Sequence, residues 1–565
     1  MQENQVDDLV VIGGGLAGLC LARHLLRDRP SSRIKVIDQA ALPIDPTTRK
    51  IGESTVEIGA WYLDTRLGLA QHLLDEHVVK FGLRFFLPAP GDGVFEARAE
   101  LGPLTGESAD LRLDIGGLDP PTYQVHRGRL EHELARQLQA AGVALIAPAR
   151  VLEVETMPRG PHVVTIDHDG GPSTLRAHWL VDATGGARVL GERAGRTPLP
   201  HRVRAGWFWV PGRIDIDGWS ASPSFRARTL PDLRWRSTNH LLGSGYWMWL
   251  IPVADGATSV GVVADPELAP EWASAAQLLQ WLSEREPLAV QRIDAAGPPS
   301  GFRSALVSTN ACRTVVSPES WAVTGESAGV LDPLYSPGLD MMAITNEHIV
   351  TAILDGGRSV GGLRRYCREV NQMHARLRAH FLSLYAGKYA LLGHSRVVRV
   401  KLAWDMAVYF GYLALLARNR KLADFGFMQQ ILDPSERIQR LHAAMQEVFT
   451  AWAAAVPAEE NLPTVLDHGR LGFVMGRFRT LREQPDDARL TEQIHESTRV
   501  LERVAVAILR RALPALGIAA REEGLNPYAA TGDPATWADN GLWTERHRIS
   551  PDPEIERELG TWLTP

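Results

Sequence analysis

Three groups of residues in this 565-residue chain have the types and spacing to do chemistry. Gly13, Gly15 and Gly18 form G-x-G-x-x-G directly after the apolar run Leu9–Ile12, and Asp38 closes the next apolar run 20 residues beyond Gly18. Glycines at that spacing let backbone approach a pyrophosphate, which lies against the positive end of a helix dipole; an acid so placed accepts from a ribose hydroxyl. Lys80 is one of only six lysines against 54 arginines. An ammonium on a flexible stem can lose its proton when buried, which a guanidinium cannot, so arginine could not easily replace it. The third group is Trp247 and Trp249 in the run WMWLIP, an aromatic strand that would suit a core as well as a site.

These residues need elements to hold them. Leu9–Ile12, the glycine turn, LAGLCLARHLL and IKVID read as strand, helix, strand, which turns the glycine triplet from a weak motif into a dinucleotide site. The pattern predicts a helix over Trp61–Val79, a strand over Gly82–Leu87, and Gly-, Pro- and Asp-rich loops over Pro88–Pro121. A helix over Arg129–Ala141 follows, then strands over Ala144–Val154, His162–Asp167 and Trp179–Asp182. Arg202–Pro298 reads as a β-rich insertion, with alternation in VRAGWFWVPGRI and ATSVGVVA. After Thr345 long amphipathic stretches predict helices, broken near Pro434 and between Pro457 and Pro463, and the last 40 residues read as irregular.

Composition removes several classes. With 45% apolar and 22% charged residues the chain is neither disordered nor collagen-like. A net charge of −6 argues against a dedicated nucleic-acid binder. Cys20, Cys312 and Cys367 are too scattered for a metal knuckle and suit a reducing cytoplasm, and the 18 histidines contain no HExxH-like cluster, so no metal is expected. The start lacks the form of a signal peptide. Trp404–Ala417 contains Asp405 and is shorter than the roughly 20 apolar residues that span a bilayer; it reads as a buried helix.

Further segments carry a resemblance. Arg127 precedes a helix in VHRGRLEHEL; WLVDATGG ends a strand at Asp182 with Thr184 and Gly185 following; VTGESAG ends a late strand near Gly325. Together with the glycine turn these resemble the flavoprotein hydroxylase and halogenase superfamily, which favours FAD over NAD. WMWLIP matches the W-x-W-x-I-P motif of flavin-dependent halogenases. Gly52-Glu53-Ser54-Thr55 and Lys80 in KFGLRFF resemble the family's G-E-[AS]-T and lysine segments, and VLDPLYSPG resembles F-x-x-P-x-x-S-x-G in Pro333, Ser336 and Gly338.

The resemblance implies an α/β fold: a hydroxylase-type (GR2) Rossmann-like FAD domain over 1–90, 91–205 and 301–360, a β-rich substrate-side insertion over 206–300, and a mainly helical region over 361–565. It implies FAD bound by Gly13, Gly15, Gly18, Asp38, Arg127, Thr184, Gly185, Gly325, Glu326 (where Asp is usual), Pro333 and Gly338. Catalysis would fall to Lys80, Trp247, Trp249 and Ser336. In that family reduced FAD and O2 form a C4a-hydroperoxide, halide attacks it to give hypohalous acid, and the oxidant travels a shielded tunnel to the lysine. A separate NAD(P)H-dependent flavin reductase would supply the reduced flavin.

Two departures matter. Val330 stands where Phe is usual, a packing change. Pro337 stands where the resemblance places a halide-binding N–H, and proline has none. Either Gly338 and Leu339 supply the N–H groups, or a softer anion binds, or no halide does. Tyr335 occupies the position of the glutamate of tryptophan halogenases, which points to an electron-rich substrate: a phenol, a pyrrole or an aryl polyene, free or carrier-bound. Trp207, Trp209 and the Pro88–Pro121 loops are candidates for lining its pocket. The helical C-terminal part either covers the tunnel mouth or completes the core. The rival reading is a FAD-dependent monooxygenase or dehydrogenase on the same scaffold that uses no halide.

Overall fold

A computed structural model describes residues 6–89, 94–103, 120–158, 161–355, 360–458 and 462–564. Much of the predicted Pro88–Pro121 excursion lies outside the described residues. Two sheets dominate the fold. The first is seven-stranded, and its parallel part runs Ala144–Ile146, Ile34–Ile37, Val6–Ile12, Gly171–Asp182 and Trp321–Val323. His162–His168 and Arg150–Glu155 extend it antiparallel from the first half of the Gly171–Asp182 strand. The apolar runs near the termini of these strands are buried on both faces, as a helix-covered parallel sheet requires: Leu9, Val10 and Val11 are all inaccessible.

The second sheet has nine strands, in the order Gly329–Val330, Ser300–Cys312, Arg196–Val210, Thr258–Ala264, Tyr246–Pro252, Thr238–Gly243, Leu83–Phe86, Glu100–Gly102 and Val465–Asp467. It recruits strands from well outside Arg202–Pro298, and that segment also contributes helices at Ala275–Ser283 and Pro287–Ala296. The central Tyr246–Pro252 strand shows why its sequence alternates. Trp247, Trp249 and Ile251 enter the main core, whereas Tyr246, Met248 and Leu250 enter a second core on the opposite face. A small two-stranded ladder pairs Val78–Lys80 with Thr122–Gln124, fixing Lys80 opposite Thr122.

Several local expectations change. The Trp61–Val79 helix is broken: Glu57–Trp61 runs into a single wide turn over Tyr62–Arg66, Gly68 takes φ +69°, and a short Ala70–Glu76 helix yields to the Val78–Lys80 strand. The break expected near Pro434 falls at Ile431, between the Phe425–Gln430 and Leu432–Ala455 helices, and Pro434 itself sits in the first turn of the second, where its missing N–H costs nothing. The last 40 residues are not wholly irregular, because Asp552 caps a Pro553–Leu563 helix by accepting from the N–H groups of Glu554 and Ile555.

Long helices fill the C-terminal part: Val360–Tyr385, Ser395–Val408, Leu432–Ala455 and Asp487–Ala512. The stretch Ser395–Arg418 is long and apolar enough to cross a bilayer by length and composition, yet 83% of its apolar window is buried inside the protein. The three cysteines are buried and unpaired.

Candidate active site

Three turns meet at the C-terminal ends of neighbouring parallel strands. The first follows Val6–Ile12. Gly13 takes φ +109°, and a Cβ there would lie 2.3 Å from the Ala183 carbonyl oxygen; a Cβ on Gly18 would lie 2.0 Å from the Gly13 oxygen. These glycines let turn, helix and neighbouring strand approach, whereas Gly15 faces open space. Gly15 also caps the Leu16–Asp28 helix without any side-chain hydrogen bond, leaving first-turn N–H groups for a ligand. Asp38 accepts from Gly14 N (2.6 Å) through Oδ2 and from Ala40 N (2.7 Å) through Oδ1, which fixes the carboxylate at the turn with lone pairs to spare.

The second turn follows Gly171–Asp182. Buried Asp182 accepts from the N–H and Oγ1 of Thr184 (2.9 and 2.7 Å), and Gly185 takes φ +60°. In the third, Gly325 takes φ +60° with its Cα against Ala17, and exposed Glu326 brings Oε2 to 3.9 Å of the Cβ position of Gly185. Ser327 Oγ donates to Asp182 Oδ1 (3.0 Å), locking the second and third turns together. Arg127 is held within the protein. It pairs with Glu131 and donates to the Ile51 carbonyl (2.9 Å), so its guanidinium buttresses the segment leading to Glu53. Glycine-lined backbone open to solvent at Gly15 and Gly186, an uncapped helix terminus and an acid beside them fit the pyrophosphate and ribose of FAD.

The second cluster is buried. Lys80 is 3% exposed, and its Nζ donates to Ser54 Oγ (2.9 Å) and the Thr55 carbonyl (2.5 Å). Its charge acts on His240, which burial depresses to about 3, so that imidazole is neutral. His240 stacks on Phe85 (4.6 Å between centroids) and lies 5.5 Å from Trp247, which lies 5.7 Å from Trp249. Phe85 meets Tyr335 edge-on at 6.1 Å. The lysine, the paired indoles and the Tyr335 turn therefore share one aromatic cluster. Trp249 Nε1 donates to Ser259 Oγ (3.2 Å) and Trp209 Nε1 to Glu53 Oε1 (2.8 Å). Burial raises Glu53 to about 7 and Asp340, which accepts from Gly59 N and Tyr409 OH, also to about 7.

The segment Val330–Gly338 lies against this cluster. Tyr335 (φ +70°) and Ser336 (φ +58°) are consecutive left-handed residues without being glycine, a conformation that persists only where surroundings enforce it. Pro337 then begins the Pro337–Asp355 helix. Gly338 is exposed with nothing within 4 Å of its Cβ position, and among the described residues no side chain engages the N–H of Gly338 or Leu339. Pro333 is exposed and Ser336 half-buried. Trp207 and Trp209 line an open cleft of about 880 Å³ with Arg49, Lys50, Asp255 and Arg303.

Sequence reasoning passed over Asp332, His201 and Tyr389. Asp332 Oδ2 lies 2.8 Å from His201 Nε2 and accepts from Tyr389 OH (2.7 Å), and Tyr389 OH accepts from Trp247 Nε1 (3.0 Å). Asp332 stands inside the motif, but its partners are 131 and 57 residues away, so spacing carries no sign of them.

No protein-family model matches the chain. The flavin-dependent halogenase chlA of Dictyostelium discoideum is 25% identical over 439 residues, covering 72% of this chain and 70% of that protein. The tetracycline 7-halogenase of Kitasatospora aureofaciens is 32% identical over 377 residues, 59% of this chain and 60% of the relative. A menaquinone reductase of Mycolicibacterium smegmatis is 24% identical over 354 residues, 62% and 77% of the two chains. In fold, the solved structure of halogenase PltM superposes with a TM-score of 0.57 at 16% identity, covering 88% of this chain and 97% of that one. These comparisons make the chain similar to flavin-dependent halogenases in sequence and fold, and a flavin-dependent oxidoreductase that uses FAD.

Proposed function

We propose that this chain is a cytoplasmic halogenase that installs chlorine or bromine on an electron-rich aromatic, pyrrole or polyene substrate, free or carrier-bound, using reduced FAD from a separate NAD(P)H-dependent reductase. The observation that carries the reading is the burial of Lys80, its ammonium held by Ser54 and Thr55 and its charge acting on His240, which lies 5.5 Å from Trp247 of the indole pair. Reduced FAD, when bound, would supply two electrons to O2, which is the oxidant that converts halide to hypohalous acid while its second oxygen leaves as water. Lys80 then donates a hydrogen bond to that oxidant, or carries the halogen as a haloamine, and delivers it as an electrophile to the ring. Trp247 and Trp249 wall the organic substrate from the flavin. Gly338 and Leu339 offer the N–H groups for the halide in place of the donor Pro337 lacks, and Ser336 sets the turn that aims them.

The electron-rich substrate follows from Tyr335. Burial and the neighbouring Asp405 carboxylate push its phenol well above the ordinary tyrosine value, so it stays protonated and cannot act as a base next to Ser336. A ring that needs little assistance in losing its proton suits such a site. A second reading, a FAD-dependent monooxygenase or dehydrogenase without halide, is favoured by Pro337.

The two separate cleanly. The protein is incubated with FAD, a flavin reductase, NADH and O2 in chloride or bromide, with monochlorodimedone or a phenol panel as the halogen acceptor. Halogenated product is expected, and Lys80→Ala should reduce it at least a thousandfold while reduced FAD is still oxidised. Oxygen incorporation or desaturation independent of halide, with no halogenated product, selects the second reading.

A further inference from the structure

We infer that the C-terminal helical region braces the halide-binding turn, with Tyr385, Tyr389 and Asp405 as positioning residues that hold Tyr335–Ser336 left-handed and so aim the Gly338 and Leu339 N–H groups. The inference rests on the halogenase reading for the identity of the anion. Its support is a pattern of three bonds, each to a different residue of one four-residue stretch. Tyr389 OH, from the turn Tyr389–Gly393, donates to Asp332 Oδ2 (2.7 Å). Tyr385 OH, from the end of Val360–Tyr385, donates to the Leu334 carbonyl (3.0 Å). Tyr335 OH reaches the other way and donates to Asp405 Oδ2 (3.0 Å) on the Ser395–Val408 helix.

Each anchor is itself fixed. Asp405 is 8% exposed, pairs with buried Lys401 (2.5 Å) and accepts from Gln446 Nε2 (2.8 Å) on Leu432–Ala455. Asp332 is fully buried, with His201 on Oδ2 and the N–H of Leu334 on Oδ1 (2.9 Å). Tyr389 also takes the indole N–H of Trp247, so the same hydroxyl links the Trp pair to the turn. Among the described residues the local bonds of the turn are Ser336 N to the Pro333 carbonyl (2.9 Å) and Leu334 N to Asp332 Oδ1 (2.9 Å), and neither engages the backbone of Tyr335, the first of the two left-handed residues. A turn that has lost one N–H to proline depends the more on exact placement of the rest.

The test uses full-length protein and the variants Tyr389→Phe, Asp405→Asn and, as the mildest change, Tyr385→Phe. Amide hydrogen exchange is followed in the peptide covering Leu331–Met341, alongside that covering Leu9–Leu26 as an internal standard. At least tenfold faster exchange is expected in the first for Tyr389→Phe and Asp405→Asn, with the second as in wild type. In turnover with bromide, the KM for halide should rise about tenfold while kcat at saturating halide stays within threefold. Unchanged exchange in all three variants would overturn the brace, as would faster exchange throughout the chain, which marks general destabilisation. Faster exchange in the turn with an unchanged halide KM would overturn its link to the anion. If the wild-type enzyme makes no halogenated product, the functional reading fails by itself, and exchange still decides whether the brace exists.

Discussion

The Pro337–Asp355 helix joins two regions built by opposite means. At the nucleotide edge, order comes from backbone approach within one sheet: glycines let adjacent strands and turns touch, and Asp182 holds both Thr184 and Ser327 of the neighbouring turn. At Asp332–Ser336, order is imported from side chains 51 to 131 residues away on other elements. A diphosphate spans several backbone N–H groups and tolerates the loss of one, so local geometry suffices. A monatomic anion, the ligand proposed for this turn, would offer a single point of contact, and the groups around it would have to be set from outside.

The largest expected effect breaks the nucleotide side. Gly18→Ala would push a methyl to 2.0 Å from the Gly13 oxygen, so FAD affinity should fall at least a hundredfold, read by flavin fluorescence on titration of the apoprotein. Retained affinity would show that the turn relaxes and that close approach is not its basis. A smaller effect sharpens the anion side. Pro337→Ala returns an N–H at the head of the helix, and one added hydrogen bond to an ion, about 1.5 kcal/mol at the low end, corresponds to a halide KM about tenfold lower. An unchanged KM would place the halide away from this helix.

The smallest effect concerns the wall between the regions. Burial raises Glu53 from 4.5 to about 7, so the folded apoprotein prefers its neutral form. Its contribution is fully present below pH 4.5 and is lost as pH rises through about 7. Asp340 titrates in the same direction over a similar window. Glu53→Gln should therefore flatten the decline of Tm between pH 4.5 and 7 without abolishing it, measured by calorimetry. A parallel curve for the variant would exclude Glu53 as a source.

Much of this was legible from sequence where the constraint is local. G-x-G-x-x-G and the alternation of WMWLIP follow from steric approach and strand period, and both predict the placement found. Lys80 could be picked out because lysine is rare here, although its partners Ser54 and Thr55 emerge only when the Val78–Lys80 and Thr122–Gln124 strands pair. The Trp61–Val79 helix failed because tertiary contacts override periodicity: Gly68 (φ +69°) lies against Arg27, and Arg66 of the wide turn pairs with Glu347 of the Pro337–Asp355 helix (3.1 Å). These anchors carry no spacing signal at all, since Tyr385, Tyr389 and Asp405 sit on three separate elements that meet the turn only in the folded chain.

Asn346 donates through Nδ2 to the Ala17 carbonyl (3.2 Å) and through Oδ1 accepts from Thr324 Oγ1 (2.6 Å), clamping its helix to two of the three glycine turns. Nine residues earlier the same rigid rod starts at Pro337, a span of about 14 Å at 1.5 Å per residue. The rod works as a gauge: whatever shifts the glycine turns would carry the proposed anion seat along with it, so the two sites would keep their separation.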